Sequence, residues 1–363
     1  IISSVHAFAE SNIGPFFVTF LVIIGVSSAA LLYYRLPKLG PENKLESFVS
    51  RETAFLLNNW ILLGILFAVL WGTLFPLISE AFTGQQITIG PPFFNQVNTP
   101  LGLILIFLTG AGPLVAWRKS STHSLKKHFA RPFLFALLSA PIILGAGVND
   151  FYAFVSLTLC SFVLAAIGLE FHKGTLARKR STGEGYFIAM FRLSSKNRRR
   201  YGGYITHVAL VLLFVGFTGK AFTTETELVL QESETRRFGE YDLTFETLAY
   251  GENAGMQSTA AVLSLHLNGE RLGTLLPERR YYKAFDQGTT EVSIYSGLLE
   301  DFYLILVGWS NDGSAKFQIY INPLVKFVWL GSIVLIFGSI WAMWPTGRDR
   351  RVAKVDTQNT LNI

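Results

Sequence analysis

The stretch YGGYITHVALVLLFVGFTGKAFTTETELVL, residues 201–230, changes its solvent partway along. Its first half is an apolar run broken by one histidine. After Gly219 it becomes polar and begins to alternate. A helix needs about 20 apolar residues to cross a hydrocarbon core about 30 Å thick. Alternation with period two marks a strand with one buried face. The fold is therefore read as helices in lipid joined to strands in water.

Outward from this stretch the same two patterns divide the chain. Apolar runs predict seven spans, at 14–34, 53–76, 100–117, 132–148, 151–170, 203–220 and 322–344. Alternating runs predict strands at Glu227–Gln231, Tyr241–Leu248, Ala260–Leu267, Glu291–Tyr295, Phe302–Trp309 and Lys316–Ile321. Asn268-Gly269 and Asn311-Asp312-Gly313 separate neighbouring strands, and Asn-Gly suits a hairpin turn with positive φ at both central residues. The expected class is mainly α, a polytopic transmembrane helix bundle with an inserted extracytoplasmic antiparallel β domain. Residues 1–220 form the bundle of six helices with an outer-face loop at 77–99. Residues 221–320 form the β domain, 321–345 the last helix and 346–363 a cytoplasmic tail.

Composition agrees. Of 363 residues only 15% are charged, with mean hydropathy +0.38, against about 25% charged in soluble domains. The net charge of +6 is no sign of nucleic acid. Of 31 Lys and Arg, 22 fall in four clusters, at 35–51, 118–131, 172–200 and 348–354, and none in 1–13 or 77–99. That is the positive-inside pattern, so the clusters are expected in the cytoplasm, in contact with anionic lipid. The β domain carries 15 acidic against 7 basic residues over 221–320 and is expected outside. The segment FIAMF at 187–191 is a candidate interfacial helix. No methionine begins the chain and residues 1–13 lack a basic n-region, as expected of part of a longer polypeptide.

Few residues offer chemistry. Cys160 is the one cysteine, which excludes an internal disulfide or a cysteine-based metal site. His123, His128 and His172 fall in basic loops, and His266 lies in a strand; each reads as an ordinary polar residue. His6, before the first span, reads the same way from its residues alone. His207 differs, because an ionisable group inside a span is costly. Heme iron, a proton relay, an interhelical hydrogen bond and simple packing all suit it. Gly202 and Gly203, one turn earlier, permit close approach of a helix or a flat macrocycle. Arg51, Glu52, Asn58 and Asn59 read as glue between helices. Trp309, Trp329, Trp341 and Trp344 read as an aromatic belt, and Arg279 and Arg280 as surface ion pairs, with pairing to propionates or to a partner's carboxylates as the other reading.

Several segments together resemble the CcmF heme lyase family: SSVHAFA at 3–9, SRETAFLLNN at 50–59, ITIGPPFFN at 87–95, YGGYITH at 201–207, and PERRYY and TTEVSI within 277–294. DFYLILVGW and INPLVKFVWLG follow in the same order, so the resemblance is collinear. It implies a holocytochrome c synthase, or heme lyase, subunit in the bacterial inner membrane with a periplasmic β domain. His6 would be an axial ligand of the substrate heme at the outer face. His207 would be an axial ligand of a membrane heme b, with Gly202 and Gly203 beside it. The implied partners are the heme chaperone CcmE, the thiol-reducing, apocytochrome-binding CcmH, the CxxCH segment of apocytochrome c, and the bilayer. The family's tryptophan-rich WWD segment and the second ligand of each heme lie upstream of SSVHAFA and are absent here. An N-terminal CcmF portion is therefore an expected partner. A non-catalytic scaffold and a membrane transporter are the rival classes.

Overall fold

The structure, a computed structural model, describes residues 14–40, 47–85, 87–116, 121–284 and 286–345. Within them seven helices are long and apolar enough to cross a membrane, and the chain is a multi-pass membrane protein. Helix α1, Gly14–Arg35, belongs to a separate compact unit, residues 1–48.

In the second unit, α2 (Arg51–Thr83) and α3 (Pro91–Ala111) are both longer than their apolar cores predict. The outer segment 77–99, expected as a loop, is mostly helix; only 84–90 links the two. The cause is local chemistry. Gly84 closes α2 in the left-handed region (φ 69°), and Pro91 sits where a helix begins, its missing N–H being one the first turn leaves unpaired anyway. Helix α4 (Thr122–Gly145) starts ten residues before its apolar run because Ser121 caps it, accepting from Ser124 N–H at 3.2 Å. Helix α5 (Phe151–Thr182) runs twelve residues past the predicted span, and α6 (Tyr186–Lys196) contains the FIAMF segment. Helix α7 spans Arg198–Thr218 and α8 Val325–Met343.

Helix α5 is the hub, touching α3, α4, α6 and α7, while α7 and α8 share the most extensive helix pairing. Arg51 ties the start of α2 to the end of α3, donating to the carbonyls of Gly112 and Pro113 at 3.2 Å each. Arg198 at the start of α7 donates to Pro345 O, just past α8. The basic start of α7 thus lies beside the end of α8, and the β domain leaves from the opposite ends of these two helices.

That domain is a sandwich of ten strands. One sheet orders β1 (Thr224–Leu230), β10 (Ala315–Pro323), β9 (Glu300–Trp309) and β8 (Ser293–Ser296). The other orders β2 (Thr235–Phe238), β3 (Tyr241–Glu252), β4 (Met256–Leu267), β6 (Glu278–Tyr282) and β7 (Gln287–Glu291), with β5 (Glu270–Leu275) paired to β4. Alternate residues meet between the sheets: Leu243, Phe245 and Leu263 face Phe302, Leu304 and Phe317 in a fully buried core. Asn268 and Gly269 hold φ of 51° and 86°, the predicted hairpin. One 3-10 turn, Gly219–Phe222, leads α7 into β1; β1 pairs with β10 along its whole length, and β10 leads into α8. The sandwich is an insertion in a helical hairpin.

Candidate functional site

Helix α7 has three faces, and two of them are filled. Toward α8 it presents Gly202, Thr206, Ala209 and Gly216. A side-chain carbon on Gly202 would lie 2.7 Å from Ala342 Cα, and one on Gly216 2.8 Å from Val328 N. Gly331 and Gly338 return the same closeness from α8, against Leu213 and Thr206. Toward α5 it presents Tyr201, Tyr204, Val211 and Thr218. Tyr201 packs on Phe171 with ring centroids 4.8 Å apart, and Thr218 shares a 2.8 Å hydrogen bond with Ser156.

The third face carries Gly203, His207, Leu210 and Phe214, four positions at helical spacing. A side-chain carbon on Gly203 would meet nothing within 4 Å. His207 Nδ1 is buried and has no hydrogen-bond partner. A buried imidazole nitrogen left unpaired costs free energy, so the site is chemically incomplete as it stands. Of the two approaches the glycine pair permits, a helix or a flat macrocycle, Gly202 receives the helix: α8 takes its space, backbone to backbone. Gly203 keeps its room.

About two turns along, Phe214 walls a cleft of about 350 Å³ between α3, α5 and α7. Phe94, Tyr152 and Phe217 give it aromatic walls; Asn95, Asn98 and Thr99 give it a polar side. Asn98 Oδ1 is buried without a partner. The sequence reading missed Asn98, because it began this span at residue 100. With α3 starting at Pro91, Asn98 is an amide inside a span, the same signal that singled out His207.

The other candidates resolve plainly. His128 Nδ1 is 2.8 Å from Ser124 O, and His172 Nδ1 is 3.0 Å from Tyr186 Oη. His266 is half-buried between Asp242 and Arg271 on the neighbouring strands. Arg279 donates to Val307 O at 2.6 Å, and Arg280 pairs with Glu278 at 2.8 Å and Glu291 at 3.4 Å, so both are engaged within the sandwich. Trp329, Trp341 and Trp344 lie toward the two ends of α8, as a belt requires, whereas Trp309 stands at the far end of β9, about 30 Å along the strand from α8. Trp309 is thus no part of that belt: β10 lies between it and α8 along the chain. His6 lies outside the described residues. Among the described residues no cluster of three His, Cys, Asp or Glu could hold a metal ion.

Comparison with known proteins gives these features a context. Residues 221–323 match the family model described as the CcmF C-terminal beta-sandwich. The chain is 27% identical to the cytochrome c-type biogenesis protein CcmF of Haemophilus influenzae, over 97% of this chain and 53% of that protein. It is 28% identical to CcmF of Pseudomonas fluorescens, over 94% and 51%, and 29% identical to CycK of Rhizobium meliloti, over 97% and 51%. A solved structure described as cytochrome c heme lyase CcmF shares the fold, with TM-score 0.69 at 24% identity, over 93% of this chain and 51% of that one. The chain spans about half the length of the curated relatives it matches.

Proposed function

We propose that this chain, similar over 97% of its length to about half of a CcmF protein and matching the CcmF C-terminal beta-sandwich over 221–323, serves cytochrome c maturation as one part of a membrane heme lyase. The four basic clusters are cytoplasmic and the sandwich periplasmic, as the partition of Lys and Arg supports. In this reading the enzyme receives heme from CcmE and joins it to the CxxCH segment of an apocytochrome presented by CcmH. Each cysteine thiol adds across a vinyl group, and its hydrogen ends on the neighbouring carbon. The addition is redox-neutral and needs no side-chain nucleophile, only reduced thiols and a held porphyrin. His6 is the proposed axial ligand for that substrate heme.

His207 is the proposed axial ligand of a resident heme b, which would supply an iron centre able to pass an electron to the outer face. The observation that carries this is the unpartnered Nδ1 of His207, beside the space at Gly203 and on the face of α7 turned away from α8. An imidazole on a helix packed on two sides is held in place for a ligand that none of the described residues provides. A bis-histidine iron needs a second imidazole, and His128 and His172 are already bonded elsewhere. Helices from an N-terminal CcmF portion are therefore proposed to cover Gly203, His207 and the cleft beside Asn98, bringing the second ligand and the WWD segment.

The test is a reduced-minus-oxidised spectrum of the purified complex. His207→Ala should abolish or shift the heme α-band, and His123→Ala should leave it intact. Expression of this chain alone should yield little bound heme, and co-expression with the N-terminal portion should restore it. An unchanged spectrum at full heme content in His207→Ala would sink the assignment.

A further inference from the structure

We propose that the turn Gly297–Leu299 of the sandwich is seated in the membrane, with Leu298 and Leu299 entering the acyl region of the leaflet below the β domain. This rests on α8 spanning a bilayer and not on the proposed activity.

The two leucines are the most exposed large apolar side chains of the sandwich, at 88% and 72%. Single exposed leucines are ordinary on soluble surfaces, but an adjacent pair at the tip of a turn is a surface waiting for an apolar medium. Their place in the fold says which one. Leu299 O accepts from Leu324 N–H at 2.7 Å, and Leu324 directly precedes α8. From the second residue of α8, Lys326 Nζ donates to Ser296 Oγ at 2.8 Å. Ser296 Oγ in turn donates to Asp301 Oδ1 at 2.7 Å. The turn is thus pinned on both sides to the point where the chain enters the bilayer.

Direction follows from helical spacing. Lys326 shares one face of α8 with Trp329, Ile333, Phe337 and Ile340, which are 66%, 65%, 54% and 53% exposed. The opposite face, with Gly331 and Gly338, is buried against α7. The turn held by Lys326 therefore overhangs the lipid-facing stripe. The Lys326 ammonium sits at headgroup level, as a basic side chain at a helix end does. The tip is also stiff: Gly297 N–H donates to Glu300 O at 3.0 Å, and that carbonyl leaves no space for a side chain at 297. A preformed tip loses little conformational freedom on insertion.

The consequence is a third attachment for the sandwich. The two connecting strands fix where it joins the bundle; the seated leucines fix its tilt over the membrane.

Cys160 is buried at 3% exposure and is the one cysteine of the chain, so an introduced surface thiol is the one labelled. Leu298→Cys, Leu299→Cys and Asn311→Cys, each in the full chain in phosphatidylcholine–phosphatidylglycerol nanodiscs, would carry a nitroxide. Collision with oxygen, which concentrates in lipid, is compared with collision with a water-soluble nickel chelate. Asn311 lies in the hairpin at the distal end of β9 and is the aqueous reference. At 298 and 299 oxygen should dominate, with nickel collisions several-fold weaker than at 311. Nickel collisions as strong as those at 311 would overturn the proposal. So would shielding from both oxygen and nickel, the signature of a covering protein.

Discussion

The sandwich and the α7–α8 hairpin are both closely packed, yet they achieve it in opposite ways. Ten of the twelve largest fully buried side chains of the described residues lie in the sandwich, three of them phenylalanines. Its surroundings are aqueous, and large apolar groups leaving water drive its assembly. The hairpin instead meets through glycines, with backbone on backbone. Lipid is as apolar as leucine, so the gain there comes from fit and close contact rather than from escape from water. The sandwich should fail by subtraction, and the hairpin by addition.

Phe302→Ala is the sharpest break of the first half. Deleting a ring packed at 5.0 Å from Tyr241 in the centre of the sandwich should cost about 3–5 kcal/mol. Hydrogen exchange of β3, β9 and β10 should accelerate while α5 is unaffected. In the hairpin, Gly202→Leu drives a side chain into Ala342, an overpacking that costs about 1–3 kcal/mol or more. Exchange along α7 and α8 is the readout, and Gly203→Ala, which meets open space, should leave it unchanged. Equal sensitivity at 202 and 203 would break the comparison. A smaller effect is expected at Gly269, where φ is 86°; Gly269→Ala should lower the midpoint of sandwich unfolding by an amount equivalent to about 1–2 kcal/mol.

The smallest effect belongs to neither half. Between α5 and α6, Glu184 takes the Arg178 guanidinium at 2.8 and 3.0 Å and Arg192 at 2.6 Å. The hydrogen bond from Arg178 first, then that from Arg192, lowers its pKa from an ordinary 4.5 to about 2. A depressed carboxylate contributes stability that is whole above its ordinary pKa and is lost as pH falls toward the folded value. Protection at the α5–α6 turn, corrected for the intrinsic exchange rate, should therefore fall as pH drops from about 4.5 toward about 2, and Glu184→Gln should remove that dependence.

The spans were legible because lipid demands long apolar runs, and the sandwich because Leu243, Phe245, Leu263 and Leu265 alternate with polar neighbours. Strands β2, β5 and β6 escaped notice, and so did β7, of which only Glu291 was read as strand. TRRF, ERLGTL and ERRYY are short and charged, and they become strands by pairing with β3 and β4 rather than through a pattern of their own. The helix starts at Pro91 and Thr122 escaped too, since caps and prolines, not hydropathy, set them. His207 stood out as an imidazole in a span. Which way it faces could not be read, because that depends on α8, more than a hundred residues later, taking the Gly202 face. Asn98 was lost with the misplaced start of α3.

The stalk beneath the sandwich has a mechanical meaning. Two limbs, α7 running into β1 and β10 running into α8, are laced together by ladder bonds in the strands and by glycine contacts in the helices. At their junction Gly219 lies so close to the Pro323 carbonyl that even a methyl group has no room. A load applied to the top of the sandwich cannot dissipate in a slack linker there. It travels down both limbs together, like torque down a shaft, into the helix that carries His207.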